Sequence, residues 1–403
     1  MKTLKDEVTR ELKENILPFW MNEMTDTDGG FYGRIDGRGR VFPEAEKGAI
    51  LNARILWTFS SAWRIVRNRS YLETAENAFK YITAHFIDRQ YGGVYWSLNP
   101  DGSPKDTKKQ FYAIAFMIYA LAEYYRATGD NSALEEAAGL FRCIESHSLD
   151  SADGGYLEAC TRDWNVIEDM RLSEKDQNDA KTMNTHLHIL EAYTALCRVW
   201  KDEVPAQALR GIIDIFLQRI IRPDGHLGLF FEKDWKSTSP AVSYGHDIEA
   251  SWLLCEAADV LGDESLSSLV KKVSLRVAGA AMEGFTAQGG MEYEADPVSG
   301  SRNTSREWWV QAETVIGCIN QFQLTSDGRW MEKALNEWNF IKKHIICPDG
   351  EWYWGAVPEG DSFRPDITGD RAGFWKCPYH NGRMCMEIIE RCLSLHVCQN
   401  SAK

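Results

Sequence analysis

Along the 403 residues, segments that are apolar on all sides alternate with segments that carry one charged face. A helix that is apolar all round is usually buried on both sides, whereas a two-faced helix lies at a surface. The first kind predicts inner helices, at Ile50–Trp63, Tyr112–Tyr125, Leu187–Val199, Ile248–Ala258 and Trp308–Phe322. The second kind predicts outer helices, at Tyr71–Phe86, Ser132–Ser146, Pro205–Ile221, Ser265–Met282 and Trp330–His344.

Six Gly- and aromatic-rich loops punctuate this alternation, roughly every 60–70 residues, beginning near residues 28, 92, 153, 224, 289 and 349. A period of that length fits a pair of helices plus a loop. Alternating aromatic and polar residues within the loops, as in Gly93–Leu98, predict short β-hairpins. We therefore expect an all-α fold, an (α/α)6 barrel of about twelve helices with short β-hairpins at one end. No Pro/Ser-rich linker interrupts the repeats, so residues 1–403 are predicted to form one domain.

Composition narrows the class of protein. The formal net charge of −14 argues against binding to nucleic acid or to anionic membranes. No segment has the 18 or more uninterrupted apolar residues of a membrane span, and the charged start Met1–Glu7 lacks the apolar core of a signal peptide. The ten cysteines are scattered without metal-ligand spacing, as is typical of reduced, buried thiols. We therefore expect a cytoplasmic protein, and we expect it to be a monomer.

Each predicted inner helix begins with a polar cluster. In a barrel these starts converge on one mouth, where the unpaired N–H groups favour anionic ligands. His188, His246 and His380 occupy equivalent points of three repeats and are predicted to be functional. His186 lies two residues from His188 on the same helix and points away from it, so a structural role is predicted. The remaining histidines have no such context and are also predicted to be structural: His85, His147, His226, His344 and His396.

Arg54 and the tryptophans complete the candidate site. An unpaired guanidinium is expensive to bury, so Arg54 either pairs with an inner carboxylate or meets the ligand. The neighbouring Trp308 and Trp309 either pack the barrel or line its cavity. Fifteen tryptophans is a high number, and several lie in or beside the loops, where indole faces suit the apolar C–H faces of sugar rings. Packing of the hairpins is the alternative role for many of them.

Five motifs in order resemble the N-acylglucosamine 2-epimerase superfamily, and within it the cellobiose 2-epimerase branch. They span residues 52 to 385: Asn52-Ala53-Arg54, MNTHLHILEAY (183–193), YGHDIEASWLL (244–254), EWWVQAE (307–313) and FWKCPYHNGRMC (374–385). The resemblance implies an (α/α)6 barrel that reversibly epimerises C2 of the reducing-end sugar of β-1,4-linked disaccharides, converting cellobiose to glucosyl-mannose and lactose to epilactose. It implies that neither a nucleotide nor a metal is needed.

The resemblance also assigns residues. His188, His246 and His380 match the essential histidines of the family. Substrate-contacting or supporting positions are matched by Arg54, Tyr112, Asn184, Glu249, Trp308 and Trp375. The Trp308–Trp309 pair, together with Trp375, resembles the disaccharide enzymes more than the monosaccharide isomerases of the superfamily.

The implied reaction needs an open-chain aldehyde, removal of the C2 proton to give an enediolate, and reprotonation from the opposite side. His246 and His380 are the predicted bases on the two faces. Arg54 is the predicted donor to the enediolate oxygens. His188 would donate to a substrate oxygen or help to open the ring, and Glu249 is predicted to orient His246 across an i, i+3 spacing.

Four alternatives stay open at this stage. An aldose–ketose isomerase or mannose 2-epimerase would share the barrel and the enediolate. A glycoside hydrolase would need two carboxylates that flank the bond, for which Glu249 and Glu313 are candidates. A non-catalytic binding protein would use the same cavity. A metal site could be built from His188, His246 and a carboxylate.

Overall fold

The computed structural model describes the backbone of residues 1–401 and the side chains of residues 1–392. It is dominated by helices, which are α1 (Lys2–Arg10), α2 (Leu17–Asn22), α3 (Ala49–Val66), α4 (Arg69–Tyr81), α5 (Phe111–Thr128), α6 (Asn131–His147), α7 (Met183–Val199), α8 (Glu203–Ile215), α9 (Tyr244–Leu261), α10 (Glu264–Ala281), α11 (Trp308–Thr325), α12 (Gly328–His344) and α13 (His380–Ser401). Short π-helical turns join α1 to α2 and extend α4 and α8, at Glu11–Ile16, Ile82–Phe86 and Phe216–Ile220.

The odd-numbered helices from α3 to α13 form a closed inner ring. Each packs on the next, and α13 packs back on α3. Helices α4, α6, α8, α10 and α12 pack outside this ring, and α1 completes the outer layer by packing on α13. The predicted (α/α)6 barrel is thereby confirmed. The N-terminal helical segment, residues 2–22, forms the sixth outer helix, which hydrophobic periodicity had not identified.

Burial explains the two layers. In α3 every residue from Ala49 to Ala62 is buried, because this helix faces the barrel interior on one side and the outer helices on the other. In α12 only Ala334, Glu337, Trp338, Phe340 and Ile341 are buried, and the charged face lies in solvent. The all-round apolar pattern thus marked the inner ring correctly.

The two rings also begin differently. Side chains cap the N-termini of the outer helices, from Asn68, Asp130, Asp202, Asp263 and Asp327. Most inner helices lack such a cap, although Thr182 caps α7, and the first N–H groups of four inner helices donate to a carbonyl of the next repeat. These bonds join Ala49 to Trp96 (3.0 Å), Phe111 to Glu158 (3.1 Å), Met183 to Leu229 (2.9 Å) and Trp308 to Trp354 (3.0 Å). Neighbouring repeats are therefore interlocked at the end of the barrel where the inner helices start.

Small antiparallel sheets reinforce this interlocking. Their strands are β1 (Lys47–Gly48), β2 (Ser97–Leu98), β3 (Pro104–Asp106), β4 (Lys109–Gln110), β5 (Ala159–Cys160), β6 (Lys181–Thr182), β7 (Phe230–Phe231), β8 (Val242–Ser243), β9 (Glu294–Asp296), β10 (Ser301–Asn303), β11 (Arg306–Glu307), β12 (Gly355–Glu359) and β13 (Ser362–Pro365). Hairpins within one loop join β2 to β3, β9 to β10 and β12 to β13. The other pairings were not predicted. They join the strand before an inner helix to a strand of the next repeat, as β1 to β2 and β4 to β5.

Buried ion pairs sit beside these strands, and we call them the rim ion pairs. In each, a cation just before an inner helix meets an acid from the loop that precedes it in the chain. They are Lys47–Asp26 (2.6 Å), Lys109–Asp88 (2.9 Å), Lys181–Asp150 (2.9 Å), Arg306–Glu292 (3.6 Å) and Lys376–Glu351 (2.6 Å). Lys47 and Lys181 also donate to the Gly29 and Gly154 carbonyls of the Gly-rich loops. The rim ion pairs therefore hold the loops against the inner ring.

Among the described residues, no helix is both long enough and apolar enough to cross a membrane.

Candidate active site

A cavity lies at the mouth of the barrel, where the inner helices begin. Asn184, His246, Tyr293 and Glu294 line it from the barrel side. The long connection between β5 and β6, residues 161–180, lines the opposite side. Gln110 fixes this connection by donating to the carbonyls of residues 170 and 171 at 3.1 and 2.8 Å. Hydrophobic periodicity did not predict this position of residues 161–180, because a loop of this kind carries no periodic pattern.

His188 reaches the site from the first turns of α7. Its Nδ1 lies 3.0 Å from Glu191 Oε2, and its ring packs against Tyr112 and Phe116, with centroids 4.9 and 4.5 Å away. Burial lowers the pKa of His188, although the bond to Glu191 opposes this shift. The ring is therefore neutral near pH 7.

His380 begins α13 and is held in a similar way. Its Nδ1 lies 2.7 Å from Glu313 Oε1 on α11 and 3.9 Å from Glu249 Oε1 on α9. Burial, followed by the positive charges of Arg54 and Arg383, lowers the pKa of His380 well below its usual value. A second neutral imidazole thus stands at the site.

His246 has a different partner. Its Nδ1 lies 2.8 Å from Ser243 Oγ, and burial lowers its pKa to about 3. The predicted orientation of His246 by Glu249 is wrong, because Glu249 points to Arg383, with its Oε1 2.6 Å from Nη2. The i, i+3 spacing permits a contact with His246, but the Glu249 carboxylate binds the buried guanidinium of Arg383, which is a charged and therefore stronger donor.

Aromatic rings connect the three histidines into one cluster. Trp309 lies between His246 and His380, with ring centroids 4.7 and 5.7 Å from theirs. Phe116 lies 4.5 Å from His188 and 5.3 Å from Tyr379, which precedes His380 in the chain. Imidazoles from the third, fourth and sixth repeats thus lie in one connected cluster at the starts of the inner helices, and His246 is the member of this cluster that lines the cavity described above.

Arg54 lies in the same cluster and is 3% exposed. Its guanidinium donates to Trp375 O at 3.2 Å, to Cys377 Sγ at 3.5 Å and to Tyr112 Oη at 3.0 Å. No carboxylate of the described chain forms an ion pair with it. Of the two interpretations of Arg54, the arrangement favours contact with a ligand that develops negative charge.

Three of the predicted site residues carry buried polar atoms without a hydrogen-bond partner among the described residues: Arg54 Nε, Asn184 Oδ1 and Trp308 Nε1. Buried polar groups are nearly always bonded, so such atoms are notable in a site. Trp308 packs on Trp354, with ring centroids 4.5 Å apart. Trp375 is partly exposed and lies 6.0 Å from Trp96. Trp308 therefore has an indole N–H free to donate, and Trp375 has part of its indole exposed beside Trp96.

Beneath the histidines lies a group that we call the central carboxylate cluster: Glu191, Glu249, Glu313 and Arg383. Arg383 Nη2 contacts Glu249 Oε1 at 2.6 Å and Glu313 Oε1 at 2.7 Å, and Nη1 donates to Glu191 Oε1. Burial raises the pKa of Glu249 well above its usual value. Burial also tends to raise the pKa of Glu191, but Arg383 and the bonds from His188 and Tyr379 bring it to about 2. Sequence reasoning missed Arg383, whose only signal is its position three residues after His380.

The histidines predicted to be structural have partners away from the cavity mouth. His186 donates to Thr182 O at 2.6 Å and accepts from Tyr156 N at 2.9 Å, so both ring nitrogens are used. His226 lies 2.7 Å from Asp247 Oδ2. The side chain of His396 lies outside the described residues.

The donor set for a cation differs from the predicted one. Glu249, Glu313 and His380 offer ligand atoms within 4.8 Å of one another. The Arg383 guanidinium already binds both of these carboxylates, so a metal ion would have to displace it. His188 and His246 each direct Nδ1 to a protein oxygen, and they do not belong to this set.

The chain is similar to known proteins in both sequence and structure. The sequence model of the N-acylglucosamine 2-epimerase (GlcNAc 2-epimerase) family matches residues 30–372. A cellobiose 2-epimerase of Bacteroides fragilis is 54% identical over 96% of this chain and 98% of its own, and one of Ruminococcus albus is 40% identical over the same shares. The solved structure of cellobiose 2-epimerase from Bacillus thermoamylovorans superposes with a TM-score of 0.91 at 38% identity, covering 97% of this chain and 100% of that one.

The relatives match nearly the whole chain, and the family model covers the first four of the five motifs on which the resemblance was based. The predicted resemblance is therefore confirmed, and so is the enzyme class, a carbohydrate epimerase among the isomerases. This chain belongs to the N-acylglucosamine 2-epimerase family.

Proposed function

We propose that this protein reversibly epimerises C2 of the reducing-end sugar of β-1,4-linked disaccharides, taking cellobiose to glucosyl-mannose and lactose to epilactose. The observation that carries the proposal is that His188, His246, His380 and Arg54 belong to one buried cluster, connected by the rings of Trp309, Phe116 and Tyr379. The relatives named above support the disaccharide as substrate. The chemistry needs bases that are neutral near pH 7 and a fixed cation, and burial lowers the pKa of all three rings.

The first step opens the sugar ring. A proton moves from the anomeric hydroxyl to the ring oxygen, the C1–O5 bond breaks, and C1 becomes an aldehyde. His188 is the proposed shuttle, because its Nδ1 is held by Glu191 and its Nε2 has no hydrogen bond to a described residue. Tyr112 Oη, which accepts from Arg54, is the proposed contact for a neighbouring sugar hydroxyl.

The second step removes the C2 proton and returns one to the other face. One of His246 and His380 accepts the proton, the electron pair forms the C1–C2 double bond, and negative charge develops on O1. Arg54 would stabilise this charge by fixed donors in a desolvated pocket. The other imidazole, which has first taken up a proton from solvent on Nε2, gives that proton to C2 from the opposite side and becomes neutral. The first ring then releases the proton it removed to solvent, which resets the pair. Since Glu313 holds His380 and Ser243 holds His246, the two rings reach the cavity from different helices.

The proposed contacts to the substrate come from the buried polar atoms that lack a protein partner and from the indole rings. Asn184 Oδ1 is the proposed acceptor from a sugar hydroxyl, and Trp308 Nε1 is the proposed donor to one. Trp375 is the proposed platform for the second sugar ring, whose binding positions C2 from a distance. Trp309 lies between the two proposed bases and would contact the reacting carbon's own ring.

The hydrolase alternative fits the geometry poorly. Its two candidate carboxylates, Glu249 and Glu313, both bind the same Arg383 nitrogen and lie behind His380, with exposed fractions of 1% and 0%. Carboxylates that flank a glycosidic bond must reach it from two sides. Isomerisation of a monosaccharide uses the same enediolate and is the alternative that product analysis has to separate.

Product analysis tests the proposal. The purified protein is incubated with cellobiose, with lactose and with free mannose, and the sugars are resolved by chromatography and proton NMR. We expect glucosyl-mannose and epilactose from the disaccharides, with little change in mannose. Fructose from mannose without epimerised disaccharide would favour the isomerase, and free glucose or galactose would favour hydrolysis.

A further inference from the structure

Arg383 lies directly beneath the site but contacts no part of the cavity. It follows His380 by three residues on α13 and is 1% exposed. Its guanidinium binds carboxylates from three consecutive inner helices: Glu191 on α7, Glu249 on α9 and Glu313 on α11. A single cation therefore ties four of the six inner helices together immediately below the histidines.

Two of these carboxylates also hold a histidine. Glu191 uses Oε1 for Arg383 and Oε2 for His188 Nδ1 at 3.0 Å. Glu313 Oε1 receives both Arg383 Nη2 and His380 Nδ1, each at 2.7 Å. A single carboxylate thus lies between Arg383 and each imidazole: Glu191 for His188, and Glu313 for His380. An ionised carboxylate only accepts hydrogen bonds, so each ring must donate from Nδ1, which leaves the Nε2 lone pair as the base.

The number of donors decides which carboxylates are ionised. Glu191 accepts from His188, Tyr379 and Arg383. Glu313 accepts from Trp252 at 3.0 Å, from Arg383 and from His380. These donors act against burial to different extents: they lower the pKa of Glu191, whereas burial still raises the pKa of Glu313, with Arg383 and Trp252 limiting the rise.

Glu249 differs from these two carboxylates. Among the described residues, Arg383 is its one hydrogen-bond donor. Because burial disfavours a charge with few donors, Glu249 is the member of the cluster that carries the proton.

We propose that Arg383 is a positioning residue, which keeps Glu191 and Glu313 ionised and in place and through them fixes His188 and His380 together as Nδ1–H tautomers. The proposal deepens the proposed function, on which it rests for the protons that the rings then move. The tautomers themselves exist without substrate, so they can be tested separately from activity.

A matched arginine serves as the control. Arg64, near the far end of α3, binds Glu123 Oε1 at 2.8 Å and Glu390 Oε1 at 2.5 Å, and so links α3, α5 and α13. It is mostly buried, as Arg383 is, but none of its hydrogen bonds reaches a carboxylate that holds a histidine. A general loss of helix packing would therefore follow from changes at either arginine, whereas a change of tautomer would follow only at Arg383.

The experiment compares Arg383→Lys with Arg64→Lys in protein labelled with ¹⁵N-histidine. Lysine keeps the positive charge but cannot bridge three carboxylates in fixed directions. Ring nitrogen shifts of His188 and His380, assigned from single-histidine variants, report the tautomer of each. In Arg383→Lys we expect both rings to show a mixture of Nδ1–H and Nε2–H or imidazolium forms, whereas Arg64→Lys should match the parent.

Kinetics provide a second readout. Loss of an oriented base typically lowers the rate by 10²–10⁴-fold, so kcat of Arg383→Lys should fall on the order of 10²-fold, with KM within a few-fold of the parent. Folded Arg383→Lys protein with unaltered tautomers in both rings would overturn the proposal. The NMR readout needs no sugar, so it stands even if the protein fails to epimerise disaccharides.

If Arg383→Lys does not fold, Glu191→Gln takes its place. Glu191 makes no hydrogen bond to His380, and Arg383 joins the two through Glu313. A changed His380 tautomer in Glu191→Gln would support the coupling through Arg383. An altered His188 ring beside an unaltered His380 ring would contradict it.

Discussion

The rim ion pairs and the central carboxylate cluster are both buried, but they differ in the number of cations that are present for each carboxylate. At the rim each acid has at least one cation: Asp26 pairs with Lys47, and Asp88 pairs with both Lys109 and Arg162. At the centre, three carboxylates share one guanidinium, Arg383, and two of them also hold imidazoles. Acids that are matched by cations hold loops in place. An excess of carboxylates leaves protons to be distributed, which is what acid–base chemistry requires.

This contrast separates two kinds of effect. Changes at the rim should lower stability and leave the chemistry intact, whereas changes at the centre should lower the rate of a protein that still folds.

Loss of a proposed base should have the largest effect. His246→Ala and His380→Ala each remove a group that exchanges a proton with C2, so kcat should fall by roughly 10²–10⁴-fold or more. Steady-state kinetics with cellobiose measure this, and His344→Ala on the outer helix α12 is the control. Activity of either site variant within a few-fold of the parent would reject the assignment of that histidine.

Breaking a rim ion pair should destabilise without slowing catalysis. Lys47→Met leaves the buried Asp26 carboxylate without its cation, and removal of one partner of a buried pair costs about 3–5 kcal/mol. Chemical denaturation measures the loss, and kcat of the folded protein should stay within a few-fold of the parent. The double variant Lys47→Met/Asp26→Leu should recover most of the stability. A large fall in kcat with unchanged stability would contradict the prediction that the rim ion pairs stabilise the fold without taking part in catalysis.

The proposed sugar platform should affect binding more than proton transfer. Trp375→Ala removes an indole at the cavity border, and an aromatic contact contributes about 1 kcal/mol, so kcat/KM for cellobiose should fall roughly fivefold. Most of the change should appear in KM. Turnover of disaccharides equal to that of the parent would show that Trp375 does not hold the second ring.

Glu337 is a third kind of buried acid, because it belongs neither to the rim ion pairs nor to the central carboxylate cluster. No cation of the described chain forms an ion pair with it, and burial raises its pKa to about 8, while Arg306 and the Gly290 N–H oppose this only in part. The folded protein therefore holds a proton that the unfolded chain releases near pH 4.5. Stability from this group is fully present below that pH and is lost as the pH rises toward 8.

Replacement of that acid by an amide removes the pH dependence. Relative to the parent, the melting temperature of Glu337→Gln should rise between pH 5 and pH 9, on the order of 2 °C. Calorimetry at the two pH values measures the difference. A constant offset between variant and parent across this range would show that Glu337 does not titrate on unfolding.

Much of the ring could be predicted from local patterns. All-round apolar segments marked α3, α5, α7, α9 and α11, because burial on two faces leaves a periodic trace in the sequence. Equivalent polar clusters at their starts predicted that His188, His246 and His380 converge. The roles assigned to these residues stay predictions, to be tested by the variants above.

Other features depend on tertiary partners that no periodicity reveals. Lys181 and Asp150 meet across 31 residues of chain, and the short strands pair between repeats and not only within loops. Glu249 satisfied the spacing rule for His246 yet bonds Arg383, which comes 134 residues later. A buried carboxylate selects the strongest available donor, and only the folded barrel shows which donor that is.

Deuterium exchange at C2 distinguishes proton transfer by the histidine cluster from mere binding of the disaccharide. The protein is incubated with cellobiose in heavy water, and the products are followed by proton NMR. The account predicts loss of the C2 proton signal in the epimer, with deuterium at C2 and the C–H bonds of the second ring unchanged. An epimer that keeps its original hydrogen at C2, or a disaccharide that binds without exchange, would contradict it.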